Sequence, residues 1–311
     1  MLENVVVLGQ GYVGLPLAMA AVASGHRVVG IDTDLRRVAA IQRCDSPVED
    51  VQSETLQTAF DSGRYSISAD YSRVNGVAYA IITVPTPLKH GDPDLTFIES
   101  AGTALAPFLI EGSCVILEST TYPGTTEELL VPILERGSRL RAGSDFHVGY
   151  SPERINPGDK AKKLADITKI ISCSHPSKLS LMRDIYGSII RAELFECKSI
   201  EVAECAKVLE NTQRDLNIGL MNELALICGE LGICTRDVID AAATKWNFGV
   251  YYPGLVGGHC IGVDPYYLAN TAKHLGQTPD VILAARSRNE SMVDYVVAQI
   301  LAWVSQNFSK E

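Results

Sequence analysis

A glycine-rich turn close to the N-terminus constrains the fold of this chain more than any other feature. Residues 9–14 read G-Q-G-Y-V-G, which is the pattern G-x-G-x-x-G. An apolar run over 5–8 precedes the turn, a helical pattern over 15–24 follows it, and Asp32 ends the next apolar run. A strand, this turn and a helix in that order, followed by an acidic residue, are typical of a dinucleotide-binding βαβ unit.

Each part of such a unit has a physical role. The first glycine makes the turn, the second lets a pyrophosphate approach amides at the helix N-terminus, and the third allows close helix–strand packing. Asp32 would accept hydrogen bonds from the adenosine ribose, and its charge would repel a 2′-phosphate. The unit therefore predicts NAD rather than NADP, and the alternative is a glycine turn with a structural role only.

Strand-like and helix-like segments alternate through the first part of the chain. The strand-like runs are continuously apolar, which is typical of a parallel sheet covered by helices on both faces. They cover residues 5–8, 27–31, 77–84, 113–118, 146–150 and 168–172. The sequence therefore predicts an α/β fold in which residues 1–197 form a Rossmann-like, doubly wound parallel sheet that binds NAD.

The pattern becomes helical after residue 197. Residues 200–231 carry apolar side chains at helical spacing without a proline, and further helical patterns begin near 235 and 266. We therefore predict an all-helical central domain over residues 198–311. A chain of 311 residues, 46% hydrophobic and 21% charged, is long enough to bury the cores of two such domains.

Charge and cysteine usage narrow the class of function. The net charge of -10 argues against binding to nucleic acid or to an anionic membrane. The sequence has no recognisable signal peptide or membrane-spanning run, and its eight cysteines include no C-x-x-C pair. We therefore expect a cytoplasmic protein, and we expect no metal site.

One cysteine lies in an unusual loop, since residues 252–265 read Y-P-G-L-V-G-G-H-C-I-G-V-D-P. The paired glycines before Cys260 let the backbone pass close to a ligand, and Asp264 follows four residues later. A thiol presented in this way can attack a carbonyl carbon if a neighbour favours its thiolate. Together with a nicotinamide cofactor it could carry an aldehyde on to an acid; the alternative is a buried loop cysteine.

Other candidate residues have equally plain alternatives. Val84-Pro85-Thr86 and Ser119-Thr120 lie at the carboxyl ends of predicted strands, the edge where open α/β sheets bind ligands, but such residues also end strands for local reasons. Glu153 could position water, although a lone glutamate is more often solvated or salt-bridged. Lys207 and Asn211, one helical turn apart, could stabilise an oxyanion, although spacing alone favours a solvated lysine.

In combination these segments resemble the UDP-glucose/GDP-mannose dehydrogenase family, whose members oxidise C6 of a nucleotide sugar to the uronic acid with two NAD. The matching segments occur in the family's order and span nearly the whole chain. They are residues 9–14, 84–87, 119–124, 151–154, the helix with Lys207, Asn211 and 222–224, and the loop with Cys260. Residues 153–159 and 253–268 look most like the branch that makes UDP-N-acetylhexosaminuronic acids for surface polysaccharides.

The resemblance implies a covalent mechanism for the oxidation. Asp264 and Lys207 would assist removal of the C6 hydroxyl proton as the first hydride leaves. Cys260 would then attack the aldehyde, and Lys207 and Asn211 would stabilise the oxyanion of the thiohemiacetal. Departure of the second hydride would leave a thioester on Cys260.

The resemblance also implies how the reaction ends and how ligands are held. Water positioned by Glu153 and Thr120 would hydrolyse the thioester. The implied NAD-binding residues are Gly9, Gly11, Tyr12, Val13, Gly14, Asp32, Arg37, Val84, Pro85, Thr86, Ser119 and Thr120. The implied residues for a UDP-sugar, expected to be UDP-N-acetylglucosamine or UDP-N-acetylgalactosamine, are Glu153, Arg154, Lys207, Asn211, Tyr252, Gly257 and Gly258. A homodimer through the helical domain is implied as well.

The sequence departs from the family in three respects. Pro157 stands where the UDP-glucose branch usually has a second glutamate, which leaves the details of thioester hydrolysis open, and Tyr252 stands where relatives often have arginine. The family also continues into a C-terminal UDP-binding domain that is absent from these 311 residues, so we expect NAD binding with poor turnover. The alternatives are an NAD-binding assembly module without turnover and a two-electron hydroxyacid dehydrogenase.

Overall fold

The computed structural model describes residues 4–74, 76–89, 91–155, 163–258 and 261–308. It divides the chain into two compact units. Unit 1 comprises Met1–Pro87 and Asp94–Lys207, and unit 2 comprises Leu88–Pro93 and Val208–Glu311. This division falls inside one long helix, whereas the boundary predicted at residue 197 precedes that helix and stays a prediction.

An eight-stranded sheet forms the centre of unit 1, and a two-stranded hairpin belongs to unit 2. The strands are β1 (Asn4–Leu8), β2 (Arg27–Ile31), β3 (Tyr65–Ser68), β4 (Tyr79–Ile82), the hairpin strands β5 (Leu88–Lys89) and β6 (Asp92–Pro93), β7 (Cys114–Leu117), β8 (His147–Tyr150), β9 (Lys169–Cys173) and β10 (Leu194–Glu196). The order across the large sheet is β10-β9-β8-β7-β4-β1-β2-β3. Six neighbouring strands of this sheet are parallel, in the spatial order β3-β2-β1-β4-β7-β8, and this is the strand order of a Rossmann fold.

Helices connect the parallel strands and continue into unit 2. They are α1 (Gly14–Ala23), α2 (Leu35–Gln42), α3 (Ser53–Asp61), α4 (Thr96–Leu105), α5 (Val131–Ser138), α6 (Leu179–Ile189), α7 (Ile200–Leu231), α8 (Thr235–Ala242), α9 (Asp264–His274) and α10 (Asp280–Phe308). One turn of π-helix, Thr125–Leu130, leads into α5. No helix in the described part of the chain is long and apolar enough to cross a membrane.

The central strands are apolar along their whole length because both faces of the sheet are covered. Val5 and Ile81 are fully buried on the face covered by α1, α3 and α6, whose apolar side chains belong to the same core. Their neighbours Val6 and Ile82 point to the opposite face and are equally buried. The predicted α/β fold, with a Rossmann-like sheet followed by a helical region, is confirmed.

The sheet departs from the wholly parallel arrangement at β9. This strand is antiparallel to β8, pairing Gly149 with Cys173 and Tyr150 with Ser172, and β10 is parallel to β9. Because β9 is antiparallel to β8, its first residue lies at the same edge of the sheet as the last residue of β8.

Candidate active site

Two glycines of the turn after β1 are required by the backbone conformation and the packing of the turn itself. Gly9 has φ +89°, a backbone conformation that favours glycine, and a Cβ on Gly14 would lie 1.9 Å from Gly9 O. Thr83 Oγ1, at the end of β4, donates to Leu8 O at 2.8 Å and to Gly9 O at 2.9 Å. The turn is thus packed tightly against the neighbouring strand.

Gly11 is different, because a Cβ there would meet no protein atom within 4 Å. It lies just before α1, which begins at Gly14 with Val13 as its N-cap residue, and the Tyr12 side chain is 49% exposed. A glycine that faces open space at a helix N-terminus leaves room for a bound group to approach the backbone. These residues therefore fit the pyrophosphate of NAD.

The structure brings Asp32 and Arg37 together beside this turn. Asp32 is 4% exposed; its Oδ2 accepts from Arg37 NH1 at 2.9 Å and from Gln10 N at 2.8 Å, and its Oδ1 accepts from Asp34 N at 2.9 Å. Three donors hold the carboxylate in one orientation at the end of β2. The backbone amide of Gln10, the second residue of the glycine motif, therefore takes part in the site.

Behind this carboxylate lies a buried polar pair that sequence reasoning missed. Tyr65 OH donates to Gln10 Oε1 at 2.7 Å, and Gln10 Nε2 donates to Val7 O at 2.9 Å. Burial and the charge of Asp32 raise the pKa of Tyr65 well above its usual value, so the phenol stays a neutral donor. Tyr65 is in β3, a strand that the apolar pattern did not indicate.

The ends of β4 and β7 carry the next group of predicted residues. Ser119 is buried, and its Oγ donates to Val84 O at 2.7 Å. Thr120 and Thr86 are half-buried, and Pro85 is exposed. The two predicted segments therefore meet at the carboxyl edge of the sheet, as expected for neighbouring parallel strands.

Glu204 fastens the first turns of α7 to the segment that follows Thr120. This side chain is fully buried; its carboxylate accepts from Gly124 N at 2.7 Å, from Thr126 N at 2.9 Å and from Thr126 Oγ1 at 2.6 Å. Burial raises the pKa of Glu204 to about 7, against the opposing effect of these three donors.

Lys207 lies one turn further along α7. Its side chain is only 7% exposed, so it is not the solvated lysine that spacing alone favours.

Glu153 and Arg154 lie just beyond β8. Glu153 Oε1 accepts from Arg154 N at 2.6 Å and from Ile155 N at 2.8 Å, and its Oε2 accepts from Lys169 Nζ at 3.4 Å. Arg154 NH1 donates to Thr168 O at 2.9 Å. Sequence reasoning missed Lys169, although a signal existed, since it is the single charged residue in the predicted strand over 168–172.

In unit 2 the structure pairs two of the predicted catalytic residues. Asn211 Nδ2 donates to Asp264 Oδ2 at 2.5 Å. Asp264 is the first residue of α9 and is 2% exposed, and Asn211 is 8% exposed. An amide donor and a carboxylate separated by 53 residues are thus joined in a buried site.

The remaining predicted residues belong to the loop before α9. Tyr252 is 43% exposed, with the Arg236 guanidinium 4.4 Å from its ring centroid, a cation–π distance. Gly258 has φ +83°, and a Cβ on Gly257 would meet nothing within 4 Å. Cys260 and His259 lie outside the described residues, so the role expected for Cys260 rests on the sequence.

A polar network in unit 2 holds the start of this loop. Asn222 Nδ2 donates to Gly254 O at 3.0 Å, and Gly254 N donates to Asn222 Oδ1 at 2.8 Å. Asn222 Nδ2 also donates to Asn289 Oδ1 at 2.8 Å, and Asn289 Nδ2 donates to Asp215 Oδ1 at 2.8 Å. The loop is therefore fixed to α7 and α10 by side chains for which no role was predicted.

Comparison with known proteins identifies the family. Residues 3–190 match the NAD binding domain of the UDP-glucose/GDP-mannose dehydrogenase family, and residues 201–291 match its central domain. The chain belongs to the UDP-glucose/GDP-mannose dehydrogenase family. The predicted family, the NAD cofactor and the enzyme class, an NAD-dependent nucleotide-sugar dehydrogenase, are thereby confirmed.

Individual members of this family are similar over nearly the whole chain. A UDP-N-acetyl-D-glucosamine 6-dehydrogenase from Pseudomonas aeruginosa is 48% identical, over 96% of this chain and 70% of the relative. An enzyme of the same name from Salmonella typhi is 46% identical, over 96% of this chain and 69% of the relative. The solved structure of a UDP-D-ManNAc dehydrogenase from Pyrococcus horikoshii has a TM-score of 0.90 at 34% identity, over 97% of this chain and 72% of that one.

Proposed function

We propose that this family member oxidises C6 of a UDP-N-acetylhexosamine, UDP-N-acetylglucosamine or UDP-N-acetylgalactosamine, to the uronic acid. The observation that carries the proposal is the buried Asn211–Asp264 pair, at 2.5 Å, at the start of the helix that follows the Cys260 loop. The relatives named as UDP-N-acetyl-D-glucosamine 6-dehydrogenases support this substrate class. The acid would serve the synthesis of surface polysaccharide, and a cytoplasmic location stays a prediction.

In this proposal the residues of α7 and α9 manage protons and charge. Asp264 and Lys207 assist removal of the single proton of the C6 hydroxyl, and Lys207 and Asn211 stabilise the oxyanion that forms when Cys260 Sγ bonds to the aldehyde carbon. The turn at Gly11 and the carboxylate of Asp32 would hold NAD, which would supply the hydride acceptor for both oxidations. Burial of Lys207 and Asp264 supports these roles, because charges act more strongly where water is excluded.

The NADH yield tests the proposal. We expect two NADH per UDP-N-acetylhexosamine consumed, measured by absorbance together with chromatographic detection of the uronic acid. One NADH per substrate would instead indicate a two-electron dehydrogenase. No NADH, with NAD binding intact by titration, would mean that these residues bind NAD without turnover.

Asp32 is proposed to bind the adenosine ribose and to exclude NADP. We expect Asp32→Asn to weaken NAD binding by about 10- to 100-fold, because the amide nitrogen would face the donors of Gln10 and Arg37. NADP binding should weaken less, since the repulsive charge is gone. Titration of both cofactors by calorimetry measures this, with Asp61→Asn, at the exposed last residue of α3, as control. An unchanged NAD affinity would contradict the role.

We further propose that two copies of the chain associate through α7. Leu209, Leu220 and Ile227 are 54%, 60% and 51% exposed and follow one another at 11 and 7 residues, which places them on one face of the helix. This face borders a groove of about 580 Å³ between α7 and α10. A second copy suits this surface, because the stripe on α7 can pack against itself about a two-fold axis.

Sedimentation velocity tests the dimer. We expect the wild-type chain to sediment as a dimer and Leu220→Glu to sediment as a monomer, since a charge would be buried without a partner. Leu275→Glu, at a 72% exposed site outside the groove, is the matched control and should leave the dimer intact. A monomeric wild type, or a dimer unaffected by Leu220→Glu, would rule out this interface.

A further inference from the structure

A buried acid–base cluster lies at the edge of the sheet where β9 runs antiparallel. The register pairs residues 149 with 173 and 150 with 172, so the same register continued by three residues sets Glu153 opposite Lys169. β7 ends at the same edge, and Glu118 follows it directly. Strand direction therefore brings three charged residues, from three segments of the chain, to one point.

Lys169 connects these segments through its ammonium group. Nζ donates to Glu118 Oε2 at 2.9 Å, to Pro152 O at 3.2 Å and to Glu153 Oε2 at 3.4 Å. An ammonium has three N–H donors, so each donor has one acceptor. Tyr186 OH donates to the second oxygen of Glu118 and completes the cluster.

The cluster is almost completely shielded from water. The Lys169 side chain is 3% exposed, that of Glu118 is 0% exposed and that of Glu153 is 11% exposed. Burial by itself would lower the pKa of Lys169, but the two carboxylates raise it above its usual value, so the lysine is charged. Burial raises the pKa of Glu118, and the charge of Lys169 opposes that shift. The bonds from Lys169 Nζ to Pro152 O and Glu153 Oε2 hold the segment after β8 to the same ammonium group.

We propose that Lys169, supported by Glu118, is a positioning residue for hydrolysis of the thioester. The inference rests on the proposed function and on the role that the family resemblance implies for Glu153 and Thr120, which would position the water that hydrolyses the thioester. Two backbone amides hold Glu153 Oε1 and Lys169 holds Oε2, so the carboxylate has one orientation. Glu118, two residues before Thr120, ties that segment to the same ammonium.

In the hydrolytic step the water oxygen bonds to the acyl carbon and the water proton passes to the Glu153 carboxylate. The acyl carbon–sulfur bond then breaks, and the sulfur of Cys260 leaves as a thiolate. A base held in one orientation accelerates such a step, because misplacement by about 1 Å can cost about 100-fold. Lys169 touches no reacting atom in this scheme and acts through Glu153.

Acetyl transfer from p-nitrophenyl acetate isolates this step without UDP-sugar or NAD. Release of p-nitrophenolate reports acetylation of Cys260, and intact mass follows loss of the acetyl group. The variant is Glu118→Gln with Lys169→Met, which removes the two fully buried partners together and leaves Glu153 held by its two backbone donors alone. We expect acetylation within about twofold of wild type and deacetylation slower by about 10- to 100-fold.

Three controls make the outcome decisive. Lys178→Met makes the same change at an exposed lysine and should leave both rates unchanged. Cys260→Ser supplies the background from other thiols, and NAD affinity and the thermal midpoint of unfolding report the integrity of unit 1.

Deacetylation of the double variant at the wild-type rate would overturn the positioning role alone. A parallel fall in acetylation and NAD affinity would show a structural role and also overturn it. No acetylation of wild-type Cys260 above the Cys260→Ser background would overturn the positioning role, since no thioester would form, whereas the NADH yield tests the proposed function separately.

Discussion

Replacement of Cys260 by serine is expected to abolish formation of the uronic acid. A serine hydroxyl is a far weaker nucleophile than a thiolate at neutral pH, so neither thiohemiacetal nor thioester forms at a useful rate. We expect the rate of acid production to fall by roughly 1,000-fold or more. The measurement is NADH released per UDP-N-acetylglucosamine, together with detection of the acid by chromatography.

The matched control for this change is Cys234→Ser. Cys234 is an exposed free thiol in the same unit, so its replacement should leave turnover and the yield of two NADH unchanged. NAD titration of Cys260→Ser should match wild type, because the cofactor turn belongs to unit 1. Acid production by Cys260→Ser at the wild-type rate would exclude covalent catalysis by this residue.

Replacement of Arg286 by methionine is expected to destabilise unit 2 by about 3–5 kcal/mol, because it leaves a buried carboxylate without its counter-charge. Asp215 is fully buried, and its Oδ1 accepts from Arg286 NH1 at 2.7 Å. Burial raises the pKa of Asp215, and the ion pair with Arg286 opposes that shift. The same carboxylate belongs to the network that continues through Asn289 to the loop at Gly254.

Urea denaturation followed by hydrogen exchange of the backbone amides in residues 208–231 and in α10 measures this effect. Both segments belong to unit 2 and carry the network around Asp215, so the loss of amide protection there reports the unfolding of that unit. Arg236→Met, which breaks an exposed ion pair with Asp240 on α8, should cost less than about 1 kcal/mol. Asp215→Asn combined with Arg286→Met should recover most of the lost stability. A single variant as stable as wild type would show that the buried pair contributes nothing.

The dinucleotide-binding unit was predictable from the sequence because its signals are local. The turn at Gly9, the strand before it, the helix after it and Asp32 all lie within the first 32 residues. Each follows from steric or periodic rules that act over a few residues. The long helix α7 was predictable for the same reason, and its observed bounds, Ile200–Leu231, are those of the apolar pattern.

Two strands of the sheet were missed because their local signals are weak. β3 contains alternating buried and exposed residues with two serines, and β10 is three residues long with two exposed positions. Both lie at edges of the sheet, where one side is open and a continuous apolar run is not required. Their placement depends on the strands beside them.

The sequence by itself determined the family, the cofactor and the fold class, since the glycine turn, the strand–helix alternation and the cysteine loop are each readable within a short segment. Only the tertiary structure decided which charged and polar groups meet. Lys169 reaches Glu118 and Glu153 because β9 runs antiparallel to β8, and Glu204 reaches Gly124 across 80 residues. The partner of a buried charge depends on strand direction and on packing between distant segments, and neither is encoded in the residues next to that charge.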